Sequence, residues 1–374
     1  MHIAINCLCF LKKHPTGIGR YATNLIKSLM EIDKEDQYSL YVPKALFDSK
    51  RSVPKLRTPK NFSIKVDWLK RGPEKTLRKL DIYHSPCPDI INFTHIPSVV
   101  TIHDVVYKAF PSGHTEETLK ITDEQCRSFM KHAAKLICVS QNTANDVKKY
   151  FGVSDDRLKV IYNGTDHHVF YPIPNDKRDE ARECIRAKGV TEPFILFIGT
   201  IEPRKNLKNL FEAFSILKDQ KKFKGKLVVI GMAGWKSEGL LEHVKKLGIE
   251  NDLITLGYMT NDELRYFYNL AEVFVFPSFY EGFGYPIVEA FSCGVAVVTS
   301  NSSSCPEIAG GAALIVDPHS PFDIAEKTAL ILEDKRIKNE LIQKGFLRAK
   351  EFDYSKTAQQ TLAVYKEVYS KQVK

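Results

Sequence analysis

Hydrophobic residues along this chain recur in short, β-branched runs separated by amphipathic stretches, and that alternation predicts parallel sheets covered by helices on both faces. In the first half, HIAINCL, YSLYV, NFSIKV, IYHS, SVVTIHD, KLICVS and LKVIY read as strands; in the second, PFILFIG, KLVVIGM, LITLGY, EVFVFPS, VAVVTS and AALIVDP do. Between them, apolar spacings near 3.6 predict helices, as at Leu25 and Leu29 and at Leu207, Leu210, Phe211, Phe214 and Leu217. The fold class is α/β. Residues 171–193 break the rhythm, because YPIPND followed by a highly charged segment reads as a linker with a short helix between two lobes. The expected division is 1–170, a linker at 171–193, a second lobe at 194–355, and a final helix from 356 that no strand follows.

A chain of 374 residues with a hydrophobic fraction of 43% is long enough for two domains that each bury a core. Eight cysteines (Cys7, Cys9, Cys87, Cys126, Cys138, Cys184, Cys293, Cys305) are scattered without a CxxC pair and are expected to be reduced. The basic residues of the N-terminal stretch follow its apolar run instead of preceding it, so a core strand is expected there and not a signal peptide. No run of apolar residues is long enough for a bilayer span. The net charge of +9 is uneven: residues 1–80 carry 17 Lys or Arg against 7 Asp or Glu, among them Lys12, Lys13, Lys50, Arg51, Lys55, Arg57, Lys60, Lys65, Lys70, Arg71, Lys75, Arg78 and Lys79. Such a face attracts anions, with an anionic membrane, a diphosphate-linked acceptor or nucleic acid as candidates; a merely solvated basic surface accounts for it equally well.

Four segments can carry chemistry. TGIGR (Thr16 to Arg20) lies between the first predicted strand and a helix expected to begin near Tyr21; Gly17 and Gly19 would let the backbone approach an anion, although an ordinary tight turn has the same residues. In GTIEPRKNL, Arg204 and Lys205 stand between a strand and a helix, where a leaving diphosphate would need fixed cations. Both could simply be solvated at a helix start, but cations at a helix N-terminus oppose its dipole, which points to a bound anion. The segment from Phe276 to Gly294, FPSFYEGFGYPIVEAFSCG, places Glu281 in a loop, where a carboxylate can bind sugar hydroxyls. Glu289 falls in the following helix, within reach of a ribose diol, and the Gly282, Phe283, Gly284 and Tyr285 peptides can donate to a diphosphate. In TIHDVVYKAFP, His103 and Asp104 end a strand, where the imidazole can bind a sugar or steer a proton, or merely cap; Tyr107, Phe110 and Pro111 are acceptor-side or core. Lesser signals, VVIGMAGW and LITLGYMTNDEL, place Gly231 and Tyr258 near a nucleotide base, although turn chemistry alone accounts for most of these residues.

Taken in order, TGIGRY, IYHSP, TIHDVVY, ICVSQNTANDV, VIYNGTD, FIGTIEPRKNL, LGYMTNDEL, EGFGYPIVEA, PEIAGGAALIVDP and FDYSKTAQQTL resemble glycosyltransferase family 4, the glycosyl transferases group 1, across nearly the whole chain. TIHDVVY and GTIEPRKNL look most like the bacterial mannosyltransferases of O-antigen and exopolysaccharide synthesis. The resemblance implies a GT-B fold, two Rossmann-like lobes across a cleft, with the final helix returning to the first lobe. It implies a retaining hexosyltransferase in which Arg204 and Lys205 stabilise the leaving diphosphate, Glu281 and its loop hold the hexose, Glu289 binds the ribose, His103 meets the transferred sugar, and Gly17 and Gly19 line the cleft. No cofactor and no metal are expected. The donor is GDP-mannose or, second, a UDP-hexose; the acceptor is a glycan or polyprenyl-diphosphate-linked glycan, in the cytoplasm or at the inner membrane face, with no nucleic acid. Gly199 is followed by Thr200 where the family often has a cation, which loosens the subfamily assignment. Rival readings are a glucosyl- or N-acetylhexosaminyltransferase, an epimerase or hydrolase on the same fold, and a two-lobed binding protein. A dehydrogenase is disfavoured by the missing GxGxxG.

Overall fold

The computed structural model describes residues 1–8, 17–43, 57–69, 71–77, 79–87, 95–111, 116–232, 234 and 239–372. Of the sequence candidates, Cys9, Lys12, Lys13, Thr16, Lys50, Arg51, Lys55, Lys70, Arg78 and Trp235 lie outside the described residues.

The chain divides into two compact units, Met1–Gly164 together with Asp353–Lys374, and Thr165–Phe352. The first holds a parallel sheet of β1 (His2–Asn6), β2 (Gln37–Pro43), β3 (Phe62–Asp67), β4 (Ile82–Ser85), β5 (Ser98–Ile102), β6 (Lys135–Cys138) and β7 (Leu158–Val160), in the order β3-β2-β1-β4-β5-β6-β7. The second holds β8 (Phe194–Ile198), β9 (Lys226–Ile230), β10 (Leu253–Leu256), β11 (Val273–Phe276), β12 (Val297–Ser300) and β13 (Leu314–Val316), in the order β10-β9-β8-β11-β12-β13, again parallel. Every strand read from the sequence is present. Central strands such as FILFI (β8) and VFVF (β11) are buried at every position, because helices cover both faces; the edge strand β3 mixes buried and part-exposed residues.

In each unit the strand order reverses once, between β1 and β4 and between β8 and β11. The loops leaving the carboxyl ends of such a pair diverge to opposite faces and open a crevice, the usual ligand position in doubly wound sheets.

Three expectations shift. The helix expected near Tyr21 begins at Gly17 and runs to Ile32, burying Leu25, Ile26, Leu29 and Met30 on one face. Gly17 and Gly19 are therefore in its first turns and not in a preceding loop. The boundary between units falls at Gly164/Thr165, and the segment 171–193 belongs to the second unit. Its helix Arg178–Arg186 packs on the helix Asn261–Leu270 by burying Ala181 and Ile185, with Tyr266 donating to Glu180 across the contact at 2.6 Å. Polar composition suggested a linker, but two apolar side chains four residues apart are enough for one buried stripe.

The last helix, Tyr354–Ser370, belongs to the first unit and packs along the helix Gly17–Ile32. The seven described cysteines are free, and all but Cys184 are buried. Among the described residues, no helix is long and apolar enough to cross a membrane.

Candidate active site

The loops leaving β8 and β11 meet at the reversal point of the second unit. After β8 the chain makes a short 3-10 turn, Pro203–Lys205, and Asn206 then takes a left-handed conformation (φ 60°) before the helix Leu207–Asp219 starts. That break holds Arg204 and Lys205 off the helix axis. Asn206 has a buried side chain that donates to the carbonyls of Pro277 (3.0 Å) and Pro318 (2.6 Å), while the Phe279 amide donates to the Arg204 carbonyl at 2.8 Å. The two loops are thereby stitched together, and asparagine suits the job because it tolerates positive φ and carries two donors.

Glu281 lies at the centre. Its Oε1 is 2.5 Å from Lys205 Nζ and its Oε2 is 2.9 Å from Arg204 Nη1. Arg204 Nη1 also donates to the Tyr280 carbonyl at 3.0 Å, and Arg204 Nε faces Glu202 Oε1 at 2.7 Å. The side chains of Lys205 and Glu281 are each only 8% exposed, which takes their charges out of water and makes the pairing obligatory. Burial alone would raise the Glu281 carboxyl, but Lys205 and Arg204 outweigh it and hold the group below the usual carboxylate range. The cations that seemed to demand an external anion thus already have two internal carboxylates, Glu281 and Glu202.

The loop that carries Glu281 is fixed by hydroxyls from beyond β12. Ser304 Oγ donates to the carbonyls of Glu281 (3.0 Å) and Phe283 (2.9 Å), and Ser303 Oγ accepts from the Glu281 amide at 2.8 Å. Ser300 Oγ donates to the Ser278 carbonyl at 2.6 Å and Thr299 Oγ1 to that of Phe276 at 2.9 Å. Sequence reading missed these residues and Asn206; the polar run NSSS before PEIAGG was the available signal. Gly282, Phe283 and Gly284 are buried, and Gly284 enters the helix Tyr285–Cys293 at φ 99°, which a side chain would strain. Glu289, 1% exposed inside that helix, accepts from Tyr268 OH at 3.0 Å.

Gly231 follows β9, and a Cβ there would stand 1.9 Å from the Gly199 carbonyl oxygen, so close backbone approach alone requires glycine. Tyr258, two residues past the neighbouring β10, is 53% exposed.

In the first unit His103 follows β5. Its Nε2 is 2.7 Å from the Pro86 carbonyl, which can only accept, so Nε2 carries the proton. Burial depresses its pKa, although the Pro86 contact and Asp104 oppose the shift, leaving a neutral ring with Nδ1 as an acceptor. The edge of Tyr21 packs on it at 5.0 Å between ring centroids. Asp104 caps the next turn through the Val106 amide, and Tyr107 is a core residue. A buried chain missed in the sequence lies beneath: Tyr21 OH, Thr101 Oγ1, His84 and Tyr365 OH are linked at 3.2, 2.9 and 2.6 Å. Gly17 is exposed and Gly19 buried, on the helix after β1.

The chain matches the family described as glycosyl transferases group 1 over residues 179–348 and that described as glycosyltransferase family 4 over residues 15–169. It is 29% identical to the O-antigen chain mannosyltransferase B of Escherichia coli, over 95% of this chain and 97% of that one. It is 31% identical to the serotype-specific mannosyltransferase WbdA of Escherichia coli over 61% of this chain, a stretch that covers 28% of that protein. Sucrose-phosphate synthase from Thermosynechococcus elongatus matches with a TM-score of 0.76 over 99% of both chains at 18% identity. The two doubly wound parallel units match the GT-B fold, and the two family models identify the class as glycosyltransferase. The protein belongs to glycosyltransferase family 4, the glycosyl transferases group 1.

Proposed function

We propose that this glycosyltransferase moves a hexose, with mannose the first choice, from a nucleoside diphosphate to a glycan or polyprenyl-diphosphate-linked glycan in surface polysaccharide synthesis, with retention at the anomeric carbon. The observation that carries the reading is the Arg204–Lys205–Glu281 cluster, with Lys205 and Glu281 buried and Arg204 part-buried, at the reversal point of the second sheet. The likeness to two mannosyltransferases supports the choice of sugar and of GDP-mannose, with a UDP-hexose second.

In this reading Arg204 and Lys205 take up the charge that develops on the diphosphate as the glycosidic C–O bond breaks, and the amides of Gly282 to Tyr285 assist at their helix terminus. Fixed protein charges do the neutralising, with no cofactor or metal assigned. Glu281 and its loop accept from the hexose hydroxyls, Glu289 from the ribose, and Gly231 and Tyr258 flank the base. The acceptor hydroxyl attacks from the face the diphosphate leaves, its proton passing to the departing diphosphate oxygen, which yields retention. His103 offers Nδ1 to a sugar hydroxyl, and Gly17 and Gly19 approach the phosphates or the acceptor. The basic first unit, with Arg57, Lys60, Lys65, Arg71, Lys75 and Lys79 exposed, suits peripheral contact with an anionic membrane at the cytoplasmic face. Sedimentation with anionic but not neutral vesicles checks that contact.

The test is a panel of nucleotide sugars scored for nucleoside diphosphate release with and without glycan acceptors. Acceptor-dependent release from GDP-mannose, with an α-linked product, is expected. Release without acceptor favours a hydrolase, and turnover of UDP-hexoses alone replaces the donor assignment.

A further inference from the structure

Four ionised groups crowd the reversal point of the second unit, and their charges cancel. Arg204 and Lys205 supply two positive charges, Glu281 and Glu202 two negative ones, and the side chains are 20%, 8%, 8% and 10% exposed. Glu281 spends one oxygen on each cation, and Lys205 also lies over the Phe276 ring at 5.1 Å. A site built only to attract a diphosphate would leave its cations uncompensated. This one carries its own anions.

We infer that Glu281, helped by Glu202, is a built-in counter-anion that competes with the nucleoside diphosphate for Arg204 and Lys205 and so speeds its departure after transfer; this rests on the assignment of those cations to the diphosphate. The physical case is the cost of a bare buried charge. A buried lysine and its part-buried arginine neighbour cannot be left unpaired without a large desolvation penalty, so a site lacking internal carboxylates would hold its product tightly. With Glu281 in place, each phosphate oxygen that withdraws is replaced by a carboxylate oxygen already tethered beside it. The Ser303 and Ser304 contacts at the Glu281 amide and carbonyl hold that backbone still, so only the side chain needs to shift. The same carboxylate can keep a lone pair directed at a hexose hydroxyl, so holding the donor sugar and expelling the diphosphate are compatible duties.

Inorganic pyrophosphate is the probe, because it has neither sugar nor base and reports on the cations alone. Its dissociation constant is measured by calorimetry for the full-length wild type and for Glu281→Gln, Glu202→Gln, Arg204→Gln and Lys205→Gln. Removing one full negative charge next to the bound anion should tighten pyrophosphate about tenfold or more in Glu281→Gln, and by a smaller factor in Glu202→Gln. Pyrophosphate should also raise the thermal midpoint of Glu281→Gln more than that of the wild type, and GDP should become a stronger product inhibitor in both variants. If Glu281→Gln weakens pyrophosphate or leaves it unchanged while Arg204→Gln and Lys205→Gln weaken it, Glu281 is a brace that aims the cations and the competition is overturned. If neither cation variant alters pyrophosphate binding, the diphosphate assignment itself falls and takes this inference with it. Should Glu281→Gln fail to fold, Glu202→Gln decides alone, since it keeps Glu281 and both cations; unchanged or weaker binding there refutes the idea.

Discussion

Replacing His84 with glutamine should remove a pH dependence of stability that the wild type carries between pH 8 and pH 5. His84 is fully buried on β4, held between Tyr365 OH and Thr101 Oγ1, and burial pushes its pKa from 6.5 down to about 3. A folded pKa below the unfolded one means that the unfolded chain binds the proton first. The stabilisation is therefore complete above pH 6.5 and is lost as the pH falls toward 3. At pH 5 the folded ring is still neutral, whereas the unfolded ring is more than nine-tenths protonated, which costs about 2 kcal/mol relative to pH 8. Glutamine can still donate and accept in that position but does not titrate. Urea titrations followed by circular dichroism at pH 8 and pH 5 measure the effect as a difference between the two proteins, in which the other histidines cancel. The variant is expected to pay a constant cost at both pH values and to lose about 2 kcal/mol less than the wild type on acidification. Parallel losses in the two proteins would refute the reasoning, because they would mean that the ring takes up its proton without unfolding.

Other outcomes follow from the same geometry. Lys205→Met should lower kcat/KM by on the order of 10²–10³-fold on any accepted nucleotide sugar, as expected for one lost charge-stabilising group; steady-state assays check it, and unaltered turnover removes Lys205 from the leaving-group site. Gly231→Ala should cost about 1–3 kcal/mol because the new methyl meets the Gly199 carbonyl, which is backbone and cannot rotate away. Gly257→Ala, whose Cβ would meet nothing within 4 Å, is the control, and equal thermal midpoints for the two would contradict the account. Tyr268→Phe takes a donor from the buried Glu289 carboxylate and should destabilise by about 1–3 kcal/mol in denaturant titrations.

Legibility in the sequence followed the range of the interaction. FILFI and VFVF announced buried parallel strands because both faces of such a strand need the same apolar surface. Leu207, Leu210, Phe211, Phe214 and Leu217 announced a helix face, and all five are buried. The helix start at Gly17 was misplaced because glycine weakens the local signal without forbidding the turn. The segment after Tyr171 reads as a linker because two buried side chains, Ala181 and Ile185, leave little trace among charged neighbours. Arg204, Lys205 and Glu281 were legible as chemistry but not as a cluster. Ser303, Ser304 and Asn206 were passed over because serine and asparagine in a loop normally mean only a turn, and their value here lies in which carbonyls they reach.

By itself, the order of residues determined the α/β class, the strands and the two segments that hold the charged groups, since each depends on periodicity and turn chemistry within a few residues. The tertiary structure alone decided that the cations answer to Glu281 instead of standing free beside a helix. That pairing joins Lys205 to a residue 76 positions away. It exists because β11 skips past two strands to lie against β8, bringing their carboxyl ends together and closing the space between their loops to water, and no local pattern encodes which strands become neighbours or how much solvent is left between them.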